Sequence, residues 1–225
     1  MSNDKNSTIT EKIEEISNLY IDTLKPLIIL IEVNETIYPI EILNDVRGYA
    51  DHISKCLCNN LTEEQKEYNV NKAYEHITRA IIDCYKILIV YNFELLEKLK
   101  KEYPTVDLHD VDNGEFYIKY NRIEYNVKEK LKNVKYKEEN DIFSIVELGK
   151  MYEDVFNESE SIKSFIESNR SKIEWTRLKY KKHKIRSSIA WIISIILTCI
   201  LTNNNQQILQ WIIDFLESIK NIIAK

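Results

Sequence analysis

Only three glycines and three prolines interrupt this chain of 225 residues, where average usage would supply roughly 7% and 5%. Sheet folds reverse the chain every few residues and rely on those two residue types to do so. Their scarcity excludes a turn-rich sandwich or barrel and points to few turns and long helices. The cysteines Cys56, Cys58, Cys84 and Cys199 lack a second Cys or His pair at zinc spacing, so no metal site is expected. They read as buried, reduced thiols. Gly-rich phosphate loops, GxSxG, HExxH and a Ser/His/Asp spacing are missing too, which argues against a conventional enzyme and against a bound cofactor. The first residues, MSNDKNSTITEKIEEIS, have no apolar stretch of the kind a signal peptide needs.

What the chain does have is charge, unevenly placed. A net charge of −5 with 30% charged residues argues against attraction to nucleic acid over the whole surface, and DNA is not an expected partner. Acid is spread over the first two thirds. Arg170, Lys172, Arg177, Lys179, Lys181, Lys182, Lys184 and Arg186 then form a basic run that abuts the most apolar stretch of the protein.

Helical periodicity runs through most of the sequence. Ser7 or Thr8 is positioned to cap a first helix carrying Ile9, Ile13, Ile16, Leu19 and Tyr20, which Pro26 kinks or ends. Pro39 opens a second, from PIEIL to an Asn59-Asn60 stop. Thr62 and Gln65 have the spacing of a capping box. No strong breaker follows until Pro104, so the third helix is long, and its apolar middle, HITRAIIDCYKILIVY, is expected at the centre of a bundle. A fourth helix is predicted from Glu115 to about Lys137. From Asp141 onward the pattern stays helical through Ile162, Ile166, Ile173 and Trp175, with nothing to stop it before the apolar run.

That run, Ser187 to Thr202, carries no charge and is somewhat short against the ~20 residues that span hydrocarbon. Lys184 and Arg186 can snorkel at its edge, and Trp191 can sit at an interface, with Ile195 and Leu197 in the apolar phase. The positive-inside rule places the basic side in the cytoplasm. The competing reading is a buried core helix. After NNNQQ comes an amphipathic tail containing Trp211, with Gln210, Asp214, Glu217 and Asn221 on one face. It is suited to lie on the membrane, cross it, oligomerise or pack on the bundle. The expected fold is therefore all-α: a long-helix bundle (residues 1–184) followed by a transmembrane segment and an amphipathic tail helix (185–225).

Two helices bear polar stripes where apolar residues would be expected: Asn44, Arg47, Asp51 and Lys55, and Lys72, His76, Arg79, Asp83 and Lys86. If the two are antiparallel neighbours, Arg47, Asp51, His52, His76, Arg79 and Asp83 meet in one cluster. Such a cluster either locks helix register by ion pairing or holds a phosphate-bearing ligand through Arg47 and Arg79.

The stretch Arg47-Gly-Tyr-Ala-Asp-His52 resembles the R-x4-6-H motif of HEPN ribonucleases, all-helical proteins of bacterial defence and toxin systems. The resemblance implies Arg47 as phosphate stabiliser and His52 in proton transfer, at a dimer interface. The order of bundle, basic stalk and C-terminal membrane segment also resembles the membrane effectors of nucleotide-signalling antiphage systems of the CBASS and Panoptes kind. That likeness implies a cytoplasmic part that senses a cyclic nucleotide, and a homo-oligomeric part that disrupts the bacterial inner membrane. Three functional readings stand open at this point: a membrane-anchored sensor or effector, a HEPN-type ribonuclease toxin, and a structural helical anchor.

Overall fold

The computed structural model describes residues 2–34, 39–58, 61–140, 144–201, 210 and 213–214. The expected all-helical bundle is found, and no strand occurs among the described residues. Helix α1 (Ser2–Asn18) passes through a π turn (Leu19–Leu24) into α2 (Lys25–Asn34). Pro26 therefore does not end the first helix. It lacks an N–H and crowds the carbonyl four residues back, and the widened turn just ahead of it absorbs the misfit. The start also differs from expectation, because the helix begins at Ser2 and not after a cap at Ser7 or Thr8.

Helix α3 (Ile40–Cys56) starts after Pro39; its Asn59-Asn60 stop lies outside the described residues. Helix α4 (Glu63–Glu102) spans 40 residues and carries the anticipated capping box. Thr62 N–H donates to Gln65 Oε1 at 2.9 Å, and Gln65 N–H donates to Thr62 Oγ1 at 3.3 Å. Two otherwise orphaned donors are thus satisfied at the helix start.

α4 is the axis of the molecule. Ile77, Ile82, Leu88 and Ile89 are buried on it, against Ile16, Leu24 and Ile31 of the first rod and Ile42 of α3. Contacts pair low α3 numbers with high α4 numbers, so these two helices are antiparallel: Asp45 meets Arg79, and His52 meets Asn69. α5 (Glu115–Glu139) returns antiparallel to α4 and buries Phe116, Tyr120 and Val127.

α6 (Ile145–Leu201) is 57 residues long, and its first part runs parallel to α4. Its buried stripe is Tyr152, Val155, Ser159, Ile162, Ile166, Ile173 and Thr176, the three-and-four spacing of a helix with one face in a core. Trp175, expected in that stripe, is exposed instead. After Thr176 the stripe ends. Every residue from 181 to 191 is exposed, so the helix leaves the bundle with about 1.5 Å of rise for each further residue.

The connection between α4 and α5 decides where α6 is gripped. Asp112, Asn113 and Gly114 adopt φ of 55°, 54° and 90°, left-handed values that Asn, Asp and Gly tolerate best. This sharp reversal sets Asp110 and Asp112 beside α6, where Tyr180 Oη donates to the Asp110 carboxylate and Lys172 Nζ lies 2.6 Å from Asp112 Oδ2. Lys172 holds the Asp112 carboxyl below its ordinary range.

Candidate functional site

Two places carry the chemistry that the sequence singles out: the α3–α4 interface and the distal part of α6. At the first, Asp45 is the hub. His76 Nδ1 lies 2.7 Å from Asp45 Oδ1, and Arg79 Nε and Nη2 donate to the same oxygen at 3.3 and 3.2 Å. Arg79 Nη2 also sits 2.8 Å from His76 Nδ1. The His76 ring stacks on His52 with centroids 5.4 Å apart, and His52 Nδ1 is 2.8 Å from Asn69 Oδ1.

Close backbone approach makes this possible. A Cβ added at Gly48 would lie 2.5 Å from Cε1 of the His76 ring, inside any tolerable contact, so only glycine lets the ring lie flat against α3. Ala73, fully buried on α4, is the matching small residue between Asn69 and His76.

Of the six cluster residues expected from the sequence, the fold brings His52, His76 and Arg79 together and leaves three aside. Asp51 is exposed and pairs with Lys55 of its own helix at 2.5 Å, a hydrogen bond that holds its carboxyl below the ordinary range. Arg47 is exposed and pairs with none of the described residues. Its offset of five residues from His52 turns the two side chains about 140° apart on a regular helix, and no contact joins them.

Asp83 faces a different neighbourhood, at the junction of α4, α5 and α6. Lys86 Nζ lies 3.7 Å from Asp83 and 2.6 Å from Glu138 Oε1, and Tyr152 Oη donates to Glu138 Oε2 at 2.5 Å. Burial pushes the Asp83 carboxyl up; Lys86 opposes this, and the charges of Asp45, Glu138 and Glu41 add to it. For Glu138 burial also pushes upward, but hydrogen bonds from Lys86 and Tyr152 outweigh it and hold the carboxyl below its ordinary range. Burial and the Glu138 hydrogen bond raise the Tyr152 phenol in turn. Asp45, Glu138 and Tyr152 were absent from the expected site. The findable signal for Asp45 was its seven-residue spacing to His52 across Gly48, a polar pair flanking a gap in side-chain volume.

The cysteines divide. Cys56 and Cys84 are buried free thiols, Cys84 pushed up to about 12 by burial and by nearby Asp83, whereas Cys58 is exposed. The Cys199 side chain lies outside the described residues.

In distal α6, Ile185, Ile189, Trp191, Ile193 and Leu197 are exposed, Trp191 to 58% and Leu197 to 54%. Ile192, Ile195 and Ile196 are half-buried. The run is therefore not enclosed in the bundle as a core helix. Equally, among the described residues no helix is long and apolar enough to cross a membrane, so a transmembrane span is not found there. Trp211 and most of the tail lie outside the described residues; Gln210 Nε2 donates to Asp214 Oδ1 at 3.2 Å, the one-face spacing expected of the tail helix. Among the described residues no group of His, Cys, Asp and Glu has metal-binding geometry.

No family model, curated protein or solved structure matches this chain.

Proposed function

We propose that the protein is a membrane-docked helical effector, with the bundle of residues 1–184 on the cytoplasmic side of a bacterial inner membrane and the apolar end of α6 embedded in the bilayer. One observation carries this reading: a helix that is buried in its own fold up to Thr176 continues outward and presents Ile189, Trp191, Ile193 and Leu197 to solvent directly after a cationic run. Large apolar side chains clustered outside a core mark an interaction surface, and cations beside uncharged apolar helix suit an interfacial position. The uncharged helical residues 187–201 give about 22 Å of helix against ~30 Å of hydrocarbon. A segment that short is accommodated by local thinning, snorkelling or oligomerisation, and self-association in the bilayer is the disruptive step of this reading.

The bundle is the regulatory half, taking a cyclic nucleotide or a protein partner in the manner of the antiphage effectors it resembles. Its α3–α4 cluster is internally paired, with Arg79 and His76 both committed to Asp45. A nucleotide phosphate would have to displace the Asp45 carboxylate from Arg79, and loss of α3–α4 register would follow as the signal.

Fractionation of the full-length protein tests the docking. Wild type is expected in the membrane pellet, with growth arrest on expression. Ile193→Glu combined with Leu197→Glu, at exposed positions that leave the bundle intact, is expected to move the protein to the supernatant and relieve the arrest. Recovery of wild type entirely in the supernatant would sink the reading.

A further inference from the structure

We propose that the cationic stripe at the end of α6 binds the phosphate headgroups of an acidic phospholipid bilayer. The inference rests on the membrane-docking reading and deepens it by naming the lipid.

Charge is partitioned along this chain in a way that the bundle does not use. Residues 1–176 hold 23 basic against 34 acidic side chains, a balance of −11, whereas residues 177–186 hold six basic side chains and no acidic one. Along α6 the cations nearest the bundle are neutralised. Arg170 lies 2.9 Å from Glu102, Lys172 lies 2.6 Å from Asp112, and Arg177 lies 2.6 Å from Glu174. Beyond them the acidic partners end. Lys181, Lys182, Lys184 and Arg186 are exposed and pair with none of the described residues. Four like charges within six residues repel one another along the helix, and a polyanionic surface is the ligand that relieves this.

Geometry chooses the bilayer as that surface. Taking Ser187 as the hydrocarbon boundary, the rise of ~1.5 Å per residue sets Lys184 about 4.5 Å, Lys182 about 7.5 Å and Lys181 about 9 Å below it. The headgroup layer is ~5 to 7 Å deep on each side, from a total thickness of 40–45 Å around a 30 Å core. Arg186 and Lys184 fall inside that layer, and Lys182 and Lys181 fall within a Debye length of ~8 Å of it. Arg177, about 15 Å away, falls outside the layer and is the cation already paired to Glu174. Arg177, Lys181, Lys184 and Ser188 follow the 4-3-4 spacing of one helix face, and with Thr105 of the α4–α5 loop they line a groove of about 810 Å3. A nucleic acid offers the same phosphates, but the acidic bundle behind the stripe opposes a long polyanion, while the contiguous apolar helix favours a bilayer.

The test uses full-length protein with two kinds of vesicle, phosphatidylcholine alone and phosphatidylcholine mixed with phosphatidylglycerol. Wild type is expected to partition onto the acidic vesicles at least about tenfold more strongly, with the preference fading as salt rises. Replacing Lys181, Lys182, Lys184 and Arg186 together by Gln is expected to abolish the preference while binding to phosphatidylcholine persists. A control replacing Lys119, Lys132, Lys135 and Lys150 by Gln, with the same net charge, is expected to retain it. Equal partition of wild type onto both vesicles, or a preference that survives the stripe replacement, overturns this inference and leaves the docking reading standing. Absence of binding to either vesicle overturns both. Tighter binding of wild type to a single-stranded oligonucleotide than to the acidic vesicles also overturns it.

Discussion

The two halves of α6 share one uninterrupted backbone and differ in everything around it. Between Ile145 and Thr176 the helix buries a stripe, pairs Arg170 with Glu102 of α4 and Lys172 with Asp112 of the α4–α5 loop, and accepts at Ser159 Oγ a hydrogen bond from the buried Asn92 Nδ2 at 2.8 Å. From Lys181 to Thr198 the same helix keeps its apolar content but has no buried stripe, and its cations there pair with no acid among the described residues. Helicity is thus a poor guide to role. What separates the halves is which side chains have neighbours, and that is settled by where the α4–α5 reversal stops.

The contrast is broken most directly by removing the same kind of side chain on each side of it. Ile162→Ala, at a fully buried position, is expected to cost about 2–5 kcal/mol of unfolding free energy through lost burial and a residual cavity. Urea denaturation followed by circular dichroism reads this. At the α3–α4 interface, Gly48→Ala forces its new methyl into a ring held by Asp45 and stacked on His52. An overpacking cost of about 1–3 kcal/mol is expected despite alanine's better helix propensity. Combining it with His76→Ala removes the clash, so the double mutant is expected to be more stable than the two single losses added together.

The polar junction between α4, α5 and α6 gives a pH-dependent prediction of smaller size. Glu138 has its folded pKa held below the unfolded carboxylate value, so its contribution is present above about pH 4.3 and is lost as pH falls through the folded value. Glu138→Gln is expected to lower stability at neutral pH, with the gap to wild type closing below about pH 4, as denaturation curves across the acid range will show. The smallest effect is expected outside the bundle. Ile193→Ala, on exposed distal α6, is expected to change stability by less than about 0.5 kcal/mol while weakening membrane recovery. A loss comparable to that of Ile162→Ala would place Ile193 in a core and erase the contrast between the halves.

Much of the architecture was legible from local rules. The Thr62-Gln65 box, the absence of breakers up to Pro104 and the uninterrupted pattern expected from Asp141 correspond to α4 and to α6, whose described part starts at Ile145, because capping and periodicity act over one or two turns. The polar site was legible only in part. The stripe of Arg47 and Asp51 satisfies the same spacing rule as the stripe of Asp45 and His52, and periodicity alone does not say which of two adjacent stripes meets a neighbour. The ring-sized gap at Gly48 decides it, and that gap has meaning only once α4 supplies His76. Of the two outcomes open at Pro26, a kink or an end, packing decides for the first: the proline's own chemistry forbids a regular turn, and burial of Leu24, Leu27 and Ile31 in the core holds the helix together through a wider one.

By itself, the sequence determined that this protein is helical, where its longest helices run, and that a block of positive charge precedes an uncharged apolar run, since each is a property of neighbours along the chain. The tertiary structure alone decided which cations find acids, which histidine stacks on which, and where α6 passes from core to solvent. Those outcomes depend on distances between residues far apart in sequence: the close approach at Gly48 sets the histidine stack, and the left-handed reversal at Asp112 to Gly114 sets the grip on α6.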